Sequence, residues 1–365
     1  MALDDDDLLA EIIVRLGCPA SLVRAATVCR RWLQLASDHA FLRRFRKLHP
    51  PRLLGFYLGQ GWYTSFWRPR FFSMVPQLPT LELPAVVRRA CFDMVGCWNG
   101  RVLTSRTCTV LQVHGNHSEI WHDIISVLHT PTCPQRGTTI IPTLRLPTKE
   151  GIFYAYRQLF FKEEGKVLSY FYLTVKSTID GTKSTVHVYM LQNGDDAWRT
   201  HLTLAADYFV HARYTPGSIL VGNKIYMSSA RNEILVLDLT AAFFSTIQLP
   251  QGVDFGVKGT TMLSRADDGA SDVYLIHAKE LQLHVWLRKA GNSWLLVDNI
   301  CLRDMCAHLL EDEPTAFLKI NQVGDYTAEF LFLEMGRWAL HLDVKSRTLR
   351  KVAEGLSYKL YNSVR

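Results

Sequence analysis

The chain has 365 residues, more than one small hydrophobic core ordinarily serves, so two or more units, or one small unit beside a repeat array, are expected. An apolar fraction of 48% and a charged fraction of 21% exclude bulk disorder, and no run approaches the roughly 18 apolar residues of a membrane-spanning helix. The formal charge of +7 is mild and spread along the chain, which argues against a nucleic-acid binder.

The opening MALDDDDLLAEII carries aspartates where a secretory signal carries positive charge. The cysteines at 18, 29, 91, 97, 108, 133, 301 and 306 form no CxxC and no disulfide framework. They read as reduced, mostly buried thiols of a cytoplasmic or nuclear protein. In that setting the sequon Asn116-His117-Ser118 has no meaning.

Leu8, Leu9, Ile12, Ile13 and Leu16 recur at helical spacing and make one wide apolar stripe. The aspartates before them suit a helix N-terminus. Gly17 fits just past the last turn, and Pro19 prevents continuation. Ser21 is the expected cap of a second helix over about Leu22–Ala36, and Ser37 or Asp38 of a third carrying Phe41, Leu42, Phe45 and Leu48. His49-Pro50-Pro51 ends it. The densest basic run, RRFRKLHPPR from Arg43, has no aromatic-rich module beside it and reads as a solvated helix end.

Three short helices make a marginal unit. This one holds more apolar side chains than such a cluster can hide, and each left exposed forgoes roughly 1.5–3 kcal/mol of burial. Either the next domain or a partner protein covers the surplus.

The run DLLAEIIVRLGCPASLVRAATVCRRWLQLASDHAFLRRF resembles an F-box over residues 4–48. Leu8-Leu9, Glu11-Ile12-Ile13, Arg15-Leu16, Ser21-Leu22 and Val28-Cys29-Arg30-Arg31-Trp32 fall in the family's order. The tail SDHAFLRRFRKLHPPRLLGFYL is similar to grass-type plant F-box proteins. Asp4-Asp5 replace the family's opening Leu-Pro, and Gly17 stands where proline usually follows Arg-Leu. The resemblance implies a helical face that docks on a Skp-family adaptor, and through it on a cullin carrying a RING ubiquitin-ligase subunit. The residues it points to are Leu8, Leu9, Ile12, Ile13, Leu16, Pro19, Leu22, Val28, Cys29 and Trp32. It implies neither a cofactor nor a metal.

Beyond Pro51 the texture changes to short alternating runs broken by Gly, Asn and Asp. Four segments align: VHVYMLQNGDDAW from Val186, ILVLDLTAAFFS from Ile234, LHVWLRKAGNSW from Leu283 and LHLDVKSRTL from Leu340. A weaker copy, VLQVHGNHSEIW, starts at Val110. Each unit holds about four strand candidates, in the third TTMLS, DVYLIHA, LQLHVWL and SWLLVD. Four strands per roughly 50 residues, repeated, is the mark of a β-propeller. About six blades fit the remaining length, with strands near Leu53–Leu58 and Leu356–Tyr361 sharing the closing one; five blades, or a sandwich, also satisfy the pattern. There is neither a kelch double-glycine pattern nor a Trp-Asp repeat, and the resemblance is to plant F-box-associated β-domains. The expected organisation is a helical F-box domain at 1–50, an interdomain joint at 51–75 and a propeller-like target-binding domain at 76–365.

No GxSxG, HExxH, Walker loop or GxGxxG is present. His114, His117 and His122, near Cys108, His129 and Cys133, are the one set with zinc-ligand chemistry; a polar turn is the plainer reading. Asp267-Asp268 and LEDEP at Leu310–Pro314 sit in turn-like contexts that favour solvated loops over acid–base work. The aromatic GWYTSFWRPRFF from Gly61 carries too many rings to leave exposed and reads as an interdomain joint or a substrate groove. The sequence thus describes a non-catalytic adaptor with no nucleic-acid or membrane partner, supplying proximity to an unknown target protein. The competing class is a propeller-fold hydrolase or lyase, or a propeller holding a small molecule or glycan.

Overall fold

The computed structural model describes residues 6–16, 19–49, 55–60, 70–74, 93–98, 101–114, 117–131, 137–148, 152–164, 167–178, 184–206, 218–229, 232–257, 259–266, 272–288, 293–307, 317–323, 330–354 and 358–364. Two compact units divide the chain, one helical within residues 1–54 and one of strands over Gly55–Val364.

Among the described residues the helical unit has four helices: α1 (Asp6–Val14), α2 (Pro19–Ala26), α3 (Arg30–Ser37) and α4 (His39–Leu48). The single helix expected over Leu22–Ala36 is two. Thr27 turns its hydroxyl back onto the Arg24 carbonyl at 2.7 Å, and Cys29 takes an extended conformation that starts α3 afresh. Ser21 lies inside α2, which opens on Pro19, where the missing N–H costs nothing. Asp38 caps α4 as expected, its carboxylate accepting the Phe41 N–H at 2.8 Å. Gly17 lies outside the described residues. Leu9, Ile13, Val14, Leu22, Ala36, Phe41 and Phe45 form the core, with Leu16, Trp32 and Leu35 packed against it.

In the strand unit β1 (Gly55–Gln60) and β2 (Arg70–Ser73) pair antiparallel. Five four-stranded antiparallel sheets follow. The first is β3 (Asp93–Trp98), β4 (Arg101–His114), β5 (His117–His129) and β6 (Thr138–Thr148); the second is β7 (Ile152–Glu164), β8 (Val167–Thr178), β9 (Ser184–Gln192) and β10 (Arg199–Ala206). The third is β11 (Ile219–Val221), β12 (Lys224–Ser228), β13 (Glu233–Asp238) and β14 (Phe243–Gln248); the fourth is β15 (Thr261–Arg265), β16 (Val273–Lys279), β17 (Gln282–Arg288) and β18 (Trp294–Cys301). The fifth is β19 (Leu318–Val323), β20 (Phe330–Met335), β21 (Trp338–Asp343) and β22 (Thr348–Glu354). Last, β23 (Tyr358–Val364) returns to pair with β1, so the two ends of the unit share a three-stranded sheet.

Inner strands neighbour one another around the unit: β11 lies against β7 and β15, β19 against β15 and β23, and β23 against β3. Among the described residues this is a β-propeller with five four-stranded blades, a number the sequence pattern allowed, closed by strands from both ends. The stretch 51–75, expected as a joint, supplies β1 and β2 to that closing sheet.

Alternation along each strand feeds two cores at once. On β13, Leu235 and Leu237 pack with Leu173, Val186 and Val188 of the second blade. Their neighbours Ile234 and Val236 pack with Leu263, Val273 and Leu275 of the fourth. The same division places Leu103, Ile124 and Leu146 against Leu159 and Tyr172, and Ile276 and Val285 against Leu331 and Leu340.

The four aligned sequence segments all begin in a blade's third strand; three run into its fourth, β13 to β14, β17 to β18 and β21 to β22, and the one from Val186 on β9 stops just before β10. The weaker copy at Val110 is out of phase, because it spans the β4–β5 hairpin, second strand to third. Turn chemistry also repeats. Asp238 accepts from the Thr240 and Ala241 N–H groups at 2.9 Å, and Asp343 from the Ser346 N–H at 2.8 Å. Trp198 and Trp294 each send the indole N–H to a backbone carbonyl of the preceding blade, Pro142 at 2.7 Å and Gln248 at 2.8 Å.

Candidate partner interface

Helix α1 has two apolar faces. Leu9 and Ile13 point into the helical core and are sealed from water, while Leu8 and Ile12, one residue round the helix, are 40% and 45% exposed. Each pair is spaced i, i+4 and so stacks on one side of the helix. The break at Thr27 leaves Val28 64% exposed, with Cys29 exposed beside it. Arg31 binds Asp6 at 2.6 Å, which ties the start of α3 to the start of α1. Leu8 and Val28-Cys29 therefore share one end of the unit.

Of the ten residues the sequence assigned to a partner, Leu9, Ile13 and Leu22 belong to the unit's own core. Leu8, Ile12, Val28 and Cys29 are at the surface, and Leu16 and Trp32 are half-buried. The structure places Pro19 at the start of α2 and describes its backbone only. Val23 and Leu33 are exposed as well and were missed. The outward position of Leu33 follows only once the helix is broken at Thr27, which resets the helical phase of α3.

Charge frames this face. Arg44 and Arg15 both reach Glu11, whose carboxyl is held below the ordinary range chiefly by the hydrogen bond from Arg44. Arg24, Arg30 and Arg43 remain at the surface. His49 meets the Val14 carbonyl at 2.6 Å and packs its ring at a tilt against Phe45, fastening the end of α4 to the end of α1.

The zinc-type histidines are spread along the β4–β5 hairpin. His114 and His117 oppose each other at the tip of the β4–β5 hairpin, whereas His129 ends β5 about 40 Å away along the strand. His129 is enclosed, bonded to Thr104 at 3.2 Å and Thr138 at 3.3 Å, and burial pushes its ring down to about 4. His122 meets Thr109 at 3.3 Å. Among the described residues no three metal-ligating side chains gather. Cys133, Asp267-Asp268, Leu310–Pro314 and the aromatic stretch Gly61–Pro69 lie outside the described residues. At the end of that stretch Phe71 packs on Tyr57 and Phe72 stacks on Phe56, inside the closing sheet. No described helix is long and apolar enough to cross a membrane.

Two family models match the chain. One, described as F-box-like, covers residues 6–47, the four helices. The other, described as F-box protein AT5G49610-like, beta-propeller, covers residues 93–361, from β3 into β23. No curated protein matches.

Solved structures with a similar fold include the periplasmic gluconolactonase PpgL of Pseudomonas aeruginosa, at 11% identity and a TM-score of 0.45 over 82% of each chain. A functionally unknown protein from Desulfotomaculum acetoxidans has 12% identity and a TM-score of 0.40, covering 84% of this chain and 99% of that one. An α-L-arabinofuranosidase of Fusarium graminearum has 10% identity and a TM-score of 0.35, covering 71% of this chain and 79% of that one. Likeness at this level carries no functional argument.

Proposed function

The chain belongs to the F-box protein AT5G49610-like β-propeller family, and on that premise we propose that it is the substrate-recognition subunit of a Skp–cullin–F-box ubiquitin ligase. The helical unit docks on a Skp-family adaptor, and the propeller holds the target protein. The chain carries out no covalent chemistry. Ubiquitin transfer belongs to the cullin–RING partners, and this subunit supplies proximity.

The observation that carries the reading is the outward face of Leu8, Ile12, Val28 and Cys29 on a unit whose own core is already filled by Leu9, Ile13 and Phe45. Exposed apolar side chains grouped beside a satisfied core mark an interface, and arginines at its edge suit an acidic partner. Leu9, Ile13 and Leu22 contribute by holding the helices that display this face. Trp32 and Leu16 serve both sides.

The test is capture from plant extract on the tagged full chain. Wild type retains the Skp-family adaptor, the cullin and the RING subunit; the double variant Ile12→Asp, Val28→Asp loses all three while keeping its helical circular dichroism. Equal recovery from a folded double variant would refute the proposal.

A further inference from the structure

Within residues 1–54 serine and threonine occur at three positions, Ser21, Thr27 and Ser37. Ser21 is half-buried inside α2 and follows Cys18 by three residues; Ser37 ends α3 and follows Gln34 by three. Thr27 differs from both. It follows an arginine, Arg24, by three residues, and Arg30 and Arg31 stand at the same distance and one further on its other side.

The surroundings of Thr27 make its hydroxyl reachable. The residue is exposed, in the turn between α2 and α3, and its hydroxyl bonds the Arg24 carbonyl at 2.7 Å at the surface. Helix α2 has eight residues, and its last turn is closed by the Thr27 and Val28 N–H groups on the Arg24 and Ala25 carbonyls, at 3.2 and 3.1 Å. So short a helix frays at its end, which lets an enzyme draw the segment out. The ion pairs described in this unit engage Arg15, Arg31 and Arg44 and leave Arg24 and Arg30 at the surface. The next residue in the chain is Val28, 64% exposed on the outward face.

We propose that Thr27 is the phosphorylation site of an arginine-directed protein kinase, and that its phosphate releases the Skp-family adaptor. The Thr27 Oγ1 attacks the γ-phosphorus of MgATP, its proton passes to a carboxylate of the kinase, and the bond to ADP breaks. Acidic groups on the kinase read Arg24. The product bears a charge of about −1.5 to −2 at pH 7, beside Val28. Three effects then oppose docking. The dianion loses hydration against an apolar contact. It offsets the positive charge that Arg24 and Arg30 present, and it repels an acidic partner. This rests on the helical unit being the part that docks on the adaptor, and it gives that face a regulator.

The experiment treats the full chain with MgATP and the catalytic subunit of cAMP-dependent protein kinase, maps the phosphate by mass spectrometry, and titrates a purified Skp-family adaptor by biolayer interferometry. Wild type takes up phosphate at Thr27, and Arg24→Gln does so at least fivefold more slowly. The phosphorylated wild type binds the adaptor at least tenfold more weakly than the unmodified chain, and a protein phosphatase restores binding. Thr27→Val binds equally well with and without kinase treatment. No phosphate at Thr27, equal uptake by Arg24→Gln, or a kinase-dependent loss of binding in Thr27→Val would each overturn the proposal. An unmodified chain that binds the adaptor, with the phosphorylated form within twofold of it, overturns this inference alone. An unmodified chain that does not bind overturns the docking reading and this inference with it.

Discussion

At His129 the fold encloses an imidazole that water cannot reach, and the ring stays neutral because burial pushes its titration down to about 4. The sign follows from linkage. With the folded value below the unfolded value of about 6.5, stability is complete above pH 6.5 and is lost as pH falls through the folded value. The full contribution is about 3 kcal/mol, of which about 1 kcal/mol is gone between pH 7.5 and 5.5. His122, His187, His277 and His341 are shifted the same way, mainly by burial, and add to the slope. Urea midpoints at the two pH values check this; an unchanged midpoint would contradict it. Asp38 is a second site of this scale: Asp38→Ala should cost the helical unit about 1 kcal/mol, read as faster amide exchange at Phe41 and along α4. That cap was legible because an acidic residue preceded an apolar period. His129 was not, since a histidine in an alternating strand looks the same whether it faces a ligand or a core.

At the scale of elements, the repeat is a third-to-fourth strand unit with its own turn and latch. The Trp294 indole bond to Gln248 joins the fourth blade to the third, so Trp294→Phe should lower stability by about 1 kcal/mol while leaving the strand content unchanged. A thermal scan with circular dichroism checks both, and an unshifted midpoint would make the latch incidental. The strands of the fourth blade could be read from the sequence almost residue by residue, because Ile276, Val285 and their neighbours alternate under short turns. The first blade was read out of phase. Its β4–β5 hairpin ends in a short polar turn that looks like a third-to-fourth connection, and the longer β5–β6 link carries the true one. The break in the second helix escaped for a similar reason: Thr27 and Val28 fit a helical period, and the hydroxyl's bond to Arg24 and the extended Cys29 backbone show that the chain stops there.

Across the whole molecule, closure of the propeller depends on β23 lying along β1. Gly55 permits the approach of β2: a Cβ there would run into the Phe72 carbonyl and the Phe71 ring. Gly55→Ala should therefore loosen the closing sheet and lower the melting temperature by several degrees, as about 1–3 kcal/mol of overpacking would. Calorimetry of the full chain checks it, and a wild-type melting point would contradict it. The division into a helical unit and repeated sheets was visible in texture alone, while the split of α1 into a core face and an outward face required the packing of Phe41 and Phe45 beneath it. That outward face is the centre of the account. Hydrogen–deuterium exchange of the full chain, with and without a purified Skp-family adaptor, tests it most directly. Slowed exchange across α1 and residues 27–33, with no change in the blades, is the expected result. Unchanged exchange in those helices at saturating adaptor, or protection confined to the strands, would contradict it.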